Sequence, residues 1–184
     1  MRHPEILRSV AQAGHSVGSH TWSHQDLSKK NQDDAKAEIE KGISAVQGAL
    51  GDQAKEAAFF RFPALRHPAE MVTYLGERNI AIFSTDMDSF DFKLRKPELI
   101  VKAIMTKLQK HGKGIVLMHD FQTGTSHAVP QILTQLKAGG YTIVHLKSRT
   151  PVTTLAQYDE GLQQDQKLPT VSQRPTSSIV RDVQ

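Results

Sequence analysis

The sequence predicts an α/β fold in which parallel strands are joined by helices, and two observations support this. Short apolar runs alternate along the chain with longer segments whose apolar residues recur every three or four positions, which is the pattern of strands and amphipathic helices. The predicted strands lie roughly thirty residues apart, which is the length of a β–α–β unit. Because parallel strands need a long crossover connection, this alternation favours parallel pairing.

Five segments carry the helical pattern, and several have a residue that favours helix initiation or termination. The longest, residues 33–50, places Ile39 and Ile43 on one apolar stripe, and Gly51 follows it as a stop. Pro97 is a favoured first residue of the fourth helix, because the N–H that proline lacks would have no helical partner there. The predicted helices cover residues 4–13, 33–50, 68–78, 97 to about 108, and 126–138.

Five shorter apolar runs are predicted as strands. Residues 115–118 form the most continuous of them, as expected for a strand buried on both faces. After about Pro151 the alternation ends, and the segment from Gln163 is rich in polar residues without an apolar stripe. We therefore expect a domain over residues 1–150 and a flexible tail over residues 151–184. The predicted strands cover residues 15–20, 57–60, 80–83, 115–118 and 141–146.

The composition is that of an ordinary globular domain, since the 184 residues are 38% hydrophobic and 23% charged. The net charge of +4 comes from scattered lysines and arginines without a basic run, so no nucleic-acid partner is predicted. No apolar run is long enough to cross a membrane, and the first residues lead into a helix with no secretory apolar segment. The absence of cysteine excludes thiolate ligands, so a metal site would have to use His, Asp or Glu.

The most informative short motif is Ser19-His20-Thr21-Trp22-Ser23-His24, which follows an apolar run and places two histidines four residues apart. On one helical turn, imidazoles at this spacing point the same way and can bind one divalent cation. A catalytic metal usually needs a third protein ligand, often a carboxylate, and an open position for water. A single histidine after a strand is more often a structural or surface residue. The prediction of a metal site therefore depends on finding further suitable residues nearby.

Ionisable residues follow four of the predicted strands. In a parallel α/β barrel the carboxyl ends of the strands share one face, and that face carries the active site. Each of these residues alone could be an ordinary solvated group, but their joint placement favours a metal-assisted site. The residues are His20 and His24 after the first strand, Arg61 after the second, Asp86, Asp88 and Asp91 after the third, and His119 and Asp120 after the fourth.

Four segments resemble, in order and spacing, the motifs of the polysaccharide deacetylases with a NodB-homology domain, which form carbohydrate esterase family four. His20–His24 matches a His-Ser/Thr-x-x-His metal motif, and Arg61–Pro63 matches Arg-x-Pro. Asp88–Phe92 corresponds to Asp-x-x-Asp-Trp, and Leu117–His119 to Leu-x-His. The resemblance covers roughly residues 1–150.

The resemblance implies metal-dependent hydrolysis of an N- or O-acetyl group on a sugar, in which metal-bound water attacks the acetyl carbonyl. His20 and His24 would be two ligands of the metal, with zinc expected and cobalt, nickel or manganese as alternatives. Arg61 resembles the arginine that holds the aspartate acting as base. His119 resembles the general acid, and Asp91 would pair with it and favour its protonated form.

The resemblance also implies residues for substrate binding. Leu117 and Phe92 would form part of the apolar pocket for the acetyl methyl group, although Phe92 replaces the usual tryptophan and loses an indole donor. Trp22 has two interpretations, since it would either pack beside the metal loop or stack on a sugar ring. Ala64 and Leu65 stand where the family commonly has an aromatic residue and glycine, which alters the loop expected to offer a backbone N–H to the oxyanion.

The chain departs from the family pattern near its start. The family's first motif, Thr-Phe-Asp-Asp-Gly on the first barrel strand, supplies the catalytic base and the third metal ligand, and the sequence has no equivalent. The one Asp-Asp pair in the sequence, Asp33 and Asp34, lies at the start of a predicted helix, where negative charges stabilise the helix N-terminus. The sequence therefore predicts a partial (β/α) barrel of the polysaccharide-deacetylase type with its first two strands missing. Open strand edges in such a barrel predict either self-association into a homo-oligomer or poor solubility.

Two functions from different classes remain open. The first is a metal-dependent deacetylase of an acetylated polysaccharide or oligosaccharide, whose full-length form carries the missing Asp-Asp pair. The second is a catalytically incomplete relative that binds a carbohydrate or a partner chain without turnover. For residues 1–184 we predict weak zinc affinity and little turnover. The resemblance implies a secreted or cell-envelope location, and it leaves chitin, peptidoglycan, xylan and small acylated compounds as alternative substrates.

Overall fold

The computed structural model describes residues 3–52 and 54–164. The chain divides into two compact units. Among the described residues, the first unit contains those up to Phe83 together with residues 145–164, and the second contains Ser84–Val144.

Six α-helices and four short β-strands make up the regular structure of the described residues. None of these helices is long and apolar enough to cross a membrane. The helices are α1 (Pro4–Gln12), α2 (Gln32–Leu50), α3 (Ala69–Glu77), α4 (Pro97–His111), α5 (Thr123–Ala138) and α6 (Ala156–Gln164). The strands are β1 (Phe59–Phe60), β2 (Ala81–Ile82), β3 (Met87–Asp88) and β4 (Val116–Leu117), and short 3₁₀ helices cover Leu27–Lys29 and Pro63–Leu65.

Local capping residues bound the helices, and two of them, Gly51 and Pro97, were predicted from the sequence. The side chain of Asn31 caps α2 by accepting a hydrogen bond from the backbone N–H of Asp34 at 2.8 Å. Gly51 ends that helix with a φ of 70°, a conformation that favours glycine. Pro97 is the first residue of α4, and Gly112 ends it in the left-handed region. The five predicted helices are thus all present in the structure.

The sheet of the first unit is parallel, as predicted. β1 pairs with β2, with Phe59 opposite Ala81. The predicted strand 15–20 runs beside β1, but within the described part of the chain its ladder pairing is a single parallel bridge between Ser19 and Phe60. The backbone N–H of Ser19 donates to the carbonyl of Phe59 at 2.9 Å. This pairing holds the end of segment 15–20 against β1, which positions the histidines that follow it.

The second unit contains a parallel pair that the sequence predicted only in part. β4 lies within the predicted strand 115–118, but both of its residues are half-buried and Ile115 is exposed, so the expectation of burial on both faces is wrong. β3, which pairs Met87 with Val116, was not predicted. Its sequence is acidic and contains only one apolar residue, so the strand arises from pairing with β4 and not from local preference.

Each unit has a separate apolar core. In the first, the stripe of α2 that includes Ile39 and Ile43 packs with Phe60 of β1 and Leu75 of α3, all of them almost completely buried. In the second, α4 and α5 pack on β3 and β4 through buried side chains that include Ile104. Burying one such aliphatic side chain contributes about 1.5–3 kcal/mol, so each core can hold its strand ends in place.

The last predicted strand is absent. Residues 141–146 form no strand, and Ile143 and Val144 are 68% and 73% exposed. Beyond about residue 151, where no helix was predicted, α6 forms and contacts α2. The division at residue 150 with a flexible tail stays a prediction, and residues 165–184 of that tail lie outside the described residues.

Candidate functional site

The predicted site residues fall into two groups, one in each unit, and each group lies where parallel strands end. The group of the first unit is His20, Trp22, His24 and Arg61, and the group of the second is Asp91, Phe92, Leu117 and His119.

The two histidines come together on a loop and not on a helical turn, so that part of the prediction is wrong. Thr21 and His24 have φ values of 67° and 57°, which are unusual for residues other than glycine. The loop nevertheless places the ring centroids of His20 and His24 4.9 Å apart, with the planes 70° to each other. His20 is half-buried and His24 is exposed. Strained backbone of this kind is concentrated at functional sites.

The orientation of His20 suits a metal ligand. Its Nδ1 lies 2.5 Å from the carbonyl oxygen of Arg61. Because a carbonyl oxygen can only accept, Nδ1 must carry the proton, and the lone pair of the neutral ring is then on Nε2. Among the described residues, no group of three or more His, Asp and Glu side chains is arranged to hold a metal ion. His20 and His24 could therefore supply two ligands of a metal ion, and the described residues do not supply a third.

The histidine loop is held by α2. The backbone N–H of Trp22 donates to the carbonyl of Glu38 at 2.8 Å, and the Glu38 carboxylate accepts from both the N–H and the hydroxyl of Ser23, at 2.9 and 2.8 Å. A Cβ added at Gly42 would lie 2.6 Å from the carbonyl carbon of Thr21, so only glycine allows this approach. Trp22 is half-buried, which is compatible both with packing beside the histidine loop and with stacking on a sugar ring.

Replacing Gly42 by alanine is therefore expected to displace the histidine loop. The methyl group would clash with the backbone of Thr21, and such overpacking typically destabilises a protein by about 1–3 kcal/mol. Urea unfolding would measure the loss, and NMR signals of the His20 and His24 rings would report the displacement. Gly76→Ala in α3 is the matched control, because a Cβ there meets no atom within 4 Å. Equal effects of the two changes would contradict the prediction.

Arg61 lies directly after β1 and is half-buried. Burial lowers the pKa of its guanidinium. The described residues place no carboxylate within ion-pair distance of this side chain. A partly desolvated cation without a counter-charge favours binding of an anion. The role of Arg61 in holding an aspartate stays a prediction.

Asp91 and His119 form a hydrogen-bonded pair in the second unit. Asp91 Oδ1 lies 2.8 Å from His119 Nδ1, and Asp91 Oδ2 accepts from the backbone N–H of His119 at 2.6 Å. The hydroxyl of Thr125 also donates to Oδ2, at 2.7 Å. The Asp91 side chain is completely buried, whereas 23% of the His119 side chain is exposed. The carboxylate thus fixes both the backbone and the ring of His119, and leaves part of the ring accessible.

The charge of Asp91 is maintained by these contacts. Burial by itself would raise the pKa of the Asp91 carboxyl, but the hydrogen bonds from His119 and Thr125 outweigh it and hold the pKa below the usual range. Asp91 is consequently an anion at neutral pH, as a residue that orients an imidazole must be.

The other acidic and apolar residues of this group have separate positions. The ring centroid of Phe92 lies 6.1 Å from that of His119, and Leu117 is half-buried in β4. Asp86 and Asp88 accept hydrogen bonds from the backbone N–H groups of Ile115 and Phe90, at 2.7 and 2.8 Å. Of the three aspartates after the predicted strand 80–83, Asp91 is therefore the one that contacts His119.

Three contributors to these groups were missed by sequence analysis. Thr125 supplies a hydrogen bond to Asp91, Glu38 holds the histidine loop, and Gly42 allows α2 to approach it. Glu38 and Gly42 lie within a regular helical pattern, and Thr125 lies near the start of another. No local signal distinguishes them, because their roles depend on contacts with distant parts of the chain.

Comparison with known proteins identifies relatives of this chain. The family model described as polysaccharide deacetylase matches residues 1–82. A peptidoglycan-N-acetylglucosamine deacetylase of Listeria monocytogenes is 29% identical over 147 residues, covering 78% of this chain and 29% of the relative. Chitin deacetylase 1 of Saccharomyces cerevisiae is 30% identical over 126 residues, covering 65% of this chain and 40% of the relative.

Solved structures similar to this chain are also carbohydrate deacetylases or esterases. A peptidoglycan deacetylase of Bdellovibrio bacteriovorus is 30% identical with a TM-score of 0.73, covering 82% of this chain and 42% of that one. A family 4 carbohydrate esterase of Streptomyces lividans, solved with acetate, is 26% identical with a TM-score of 0.68, covering 83% and 77%. The fold class predicted from the sequence is thereby confirmed. The chain spans less than a third of the first curated relative.

Proposed function

This chain belongs to the polysaccharide deacetylase family, and we propose from that membership that it hydrolyses an acetyl group on the nitrogen or oxygen of a carbohydrate. The named relatives are deacetylases of peptidoglycan N-acetylglucosamine and of chitin, which supports an acetylated polysaccharide or oligosaccharide as the substrate.

The observation that carries this proposal is the contact of 2.8 Å between Asp91 Oδ1 and His119 Nδ1. Because Asp91 accepts the proton of Nδ1, a doubly protonated His119 presents its other proton at Nε2. Hydrolysis of an acetamido group joins the water oxygen to the acetyl carbon and breaks the bond from that carbon to the sugar nitrogen. The nitrogen leaves as an amine, and His119 would donate the proton that this amine requires, while the proton that the attacking water loses would pass to a carboxylate base.

His20 and His24 would hold a divalent cation, with zinc the expected metal, as two members of its ligand set. A bound ion of this kind supplies Lewis acidity, which polarises the acetyl carbonyl. The carbonyl of Arg61 fixes the His20 ring so that Nε2 is its ligating atom. Leu117 and Phe92 would provide apolar surface for the acetyl methyl group.

A second candidate function is binding of a carbohydrate without turnover. It is favoured by one specific observation, which is that the described residues offer no third metal ligand and no carboxylate for Arg61. In deacetylation a carboxylate in this position would act as base, and Arg61 would hold it. A chain that lacks this group would keep the proton donor and the binding surface but lose most of its rate.

Acetate release from oligomers of N-acetylglucosamine tests the first candidate. With zinc added, we expect slow release that stops when a chelator is present. His119→Ala is expected to lower the rate by about a hundredfold or more, as for loss of a general acid. His20→Ala is expected to weaken zinc binding measured by calorimetry.

His127→Ala is the matched control, since His127 is an exposed histidine of α5 in the same unit as His119. Release that persists unchanged in His119→Ala would contradict the proposed proton donor. Binding of the oligomers with no acetate release at any zinc concentration would favour the second candidate.

A further inference from the structure

One buried carboxyl group of the first unit takes no part in the candidate site. Glu56 lies shortly before β1 and is 1% exposed, and neither of its carboxyl oxygens has a hydrogen-bond partner among the described residues. Glu40 of α2 is also completely buried and acts on Glu56 as a neighbouring negative charge. Burial and this charge both raise the pKa of Glu56, so the folded chain encloses its carboxyl group in the neutral form.

A segment that we call the strap, residues 148–155, is attached to the backbone of Glu56. The N–H of Val152 donates to the carbonyl of Glu56 at 3.0 Å, and Pro151 forms an antiparallel bridge with Ala57. The side chain of Val152 is half-buried and packs against the apolar core of the first unit. The strap therefore covers part of that core next to the enclosed carboxyl group.

The buried ion pair of Glu40 and Arg78 holds the next residue of the strap. Arg78 Nη2 donates to the carbonyl of Thr153 at 2.6 Å and to a carboxylate oxygen of Glu40 at 3.0 Å. The hydroxyl of Tyr74 donates to the other oxygen of Glu40 at 2.7 Å. Within the described part of the chain, no ion pair includes Glu56. Because Arg78 is engaged by Glu40 and by the strap, an ionised Glu56 would have no cation to compensate its charge.

Two other titratable groups of this cluster keep their protons where Glu56 ionises. Burial raises the pKa of Tyr74 above its ordinary value of 10.0, and the hydrogen bond to Glu40 raises it further. Burial lowers the pKa of Arg78, but its hydrogen bond to Glu40 and the charge of Glu40 outweigh this and leave the pKa above 12.5. The other titratable groups of the surrounding elements are Lys36 and Glu40 of α2, Tyr158 of α6, and the exposed Asp52, Lys55 and Arg149.

We propose that the strap is a pH-dependent switch, which stays closed while Glu56 carries its proton and is released from the core when Glu56 ionises. A buried carboxylate without a partner is strongly destabilised, and release of the strap lets water reach it. The strap is the part of its surroundings that can leave most easily, because it belongs to no helix or strand and a few hydrogen bonds hold it. Through Arg78 and Glu40 the strap is joined to α2, the helix whose Glu38 holds the histidine loop.

The chain contains no cysteine, so a single introduced thiol can report on the strap. In Val152→Cys, the rate of reaction with an aromatic disulfide reagent measures how often the strap leaves the core. Glu56→Gln is then added to the same variant, and the two rates are compared at each pH, so that the rise of intrinsic thiol reactivity with pH cancels. We expect the rate with Glu56 to exceed the rate with glutamine, by a ratio that grows up to about tenfold per pH unit between about pH 6 and pH 8.

Val72→Cys in α3 is the matched control, since Val72 is exposed and the reaction of a thiol there should not respond to Glu56→Gln. Leu155→Cys, at a half-buried residue that ends the strap, is a second probe and should give the same ratios as Val152→Cys. Release of the strap exposes little surface, so the ratios should hardly change with urea below the unfolding transition. Ratios that do not vary with pH, or labelling that rises with urea as steeply as global unfolding does, would overturn the proposal.

Discussion

Glu56→Gln is expected to stabilise this protein, and the gain is expected to grow as the pH rises. Glu56 is 1% exposed, and neither of its carboxyl oxygens has a hydrogen-bond partner among the described residues. Burial, with a further contribution from the charge of Glu40, raises the pKa of Glu56 to about 9. The folded protein therefore keeps this carboxyl protonated at neutral pH.

Glu40 shows what Glu56 lacks. It is also completely buried, but its carboxylate accepts from the hydroxyl of Tyr74 at 2.7 Å and from Arg78 Nε and Nη2 at 2.9 and 3.0 Å. These contacts raise the pKa of Arg78 despite its burial. A second anion beside this satisfied pair would have no cation left to compensate it.

The sign of the pH dependence follows from proton binding. An unfolded glutamate loses its proton near its ordinary pKa of 4.5, whereas the folded one keeps it up to about pH 9. Between these values the folded state binds more protons, so its stability is full below pH 4.5 and is lost progressively as the pH approaches 9. The slope is about 1.4 kcal/mol per pH unit, and glutamine, which does not titrate, removes it.

Urea unfolding of Glu56→Gln and wild type at several pH values between 5 and 9 measures this difference. We expect the variant to gain on the order of 3 kcal/mol relative to wild type at pH 7, and more at pH 9. Glu70→Gln, which removes an exposed carboxylate from α3, is the matched control and should show no such trend. A constant difference between Glu56→Gln and wild type across this range would refute the prediction.

The helices could be predicted from sequence because their signals are local. Asn31 and Gly51 bound α2 through contacts within a few residues, and the apolar stripe between them fixes the buried face. The strands were less predictable, since a strand exists only when a neighbour pairs with it. Residues 141–146 have the apolar pattern but no strand, and β3 lacks the pattern but pairs with β4.

The same distinction applies to the candidate site. His20, Arg61, Asp91 and His119 were found because they belong to motifs with fixed spacing. Their catalytic roles stay predictions, but the contact expected between Asp91 and His119 is present in the structure. The isolation of Glu56 was not predictable, because whether a carboxylate finds a partner depends on which side chains surround it after folding.

Asp91→Asn is expected to have the largest effect in the second unit. One carboxylate accepts three hydrogen bonds, from the backbone and ring of His119 and from Thr125. Asparagine keeps the shape but replaces one acceptor oxygen by an NH₂ group, which would face N–H or O–H donors. Leaving such buried groups unpaired costs roughly 3 kcal/mol, so we expect a loss of that order in the free energy of unfolding.

The pH dependence of this contribution is opposite in sign to that of Glu56. The pKa of Asp91 is held below the ordinary value of 3.8, so its contacts contribute stability that is present above that value and is lost as the pH falls through the pKa of the folded state. The free energy of unfolding of wild type is therefore expected to fall below about pH 4, whereas the part of that fall due to Asp91 is absent in Asp91→Asn. Acid unfolding followed by circular dichroism measures the difference.

Asp120→Asn is the control, since Asp120 is exposed and lies next to His119 in the chain. If Asp91 only stabilises the fold, reducing the temperature to restore folding of Asp91→Asn would also restore full activity. If it orients His119 for proton donation, the folded variant should still be slower by about a hundredfold, with kcat more affected than KM. Thr125→Val removes a single donor to Asp91 and should lower the free energy of unfolding by about 1 kcal/mol, while the contact between Asp91 and the His119 ring stays in place. An unchanged rate of acetate release in this variant would show that a small loss of stability alone does not slow the reaction.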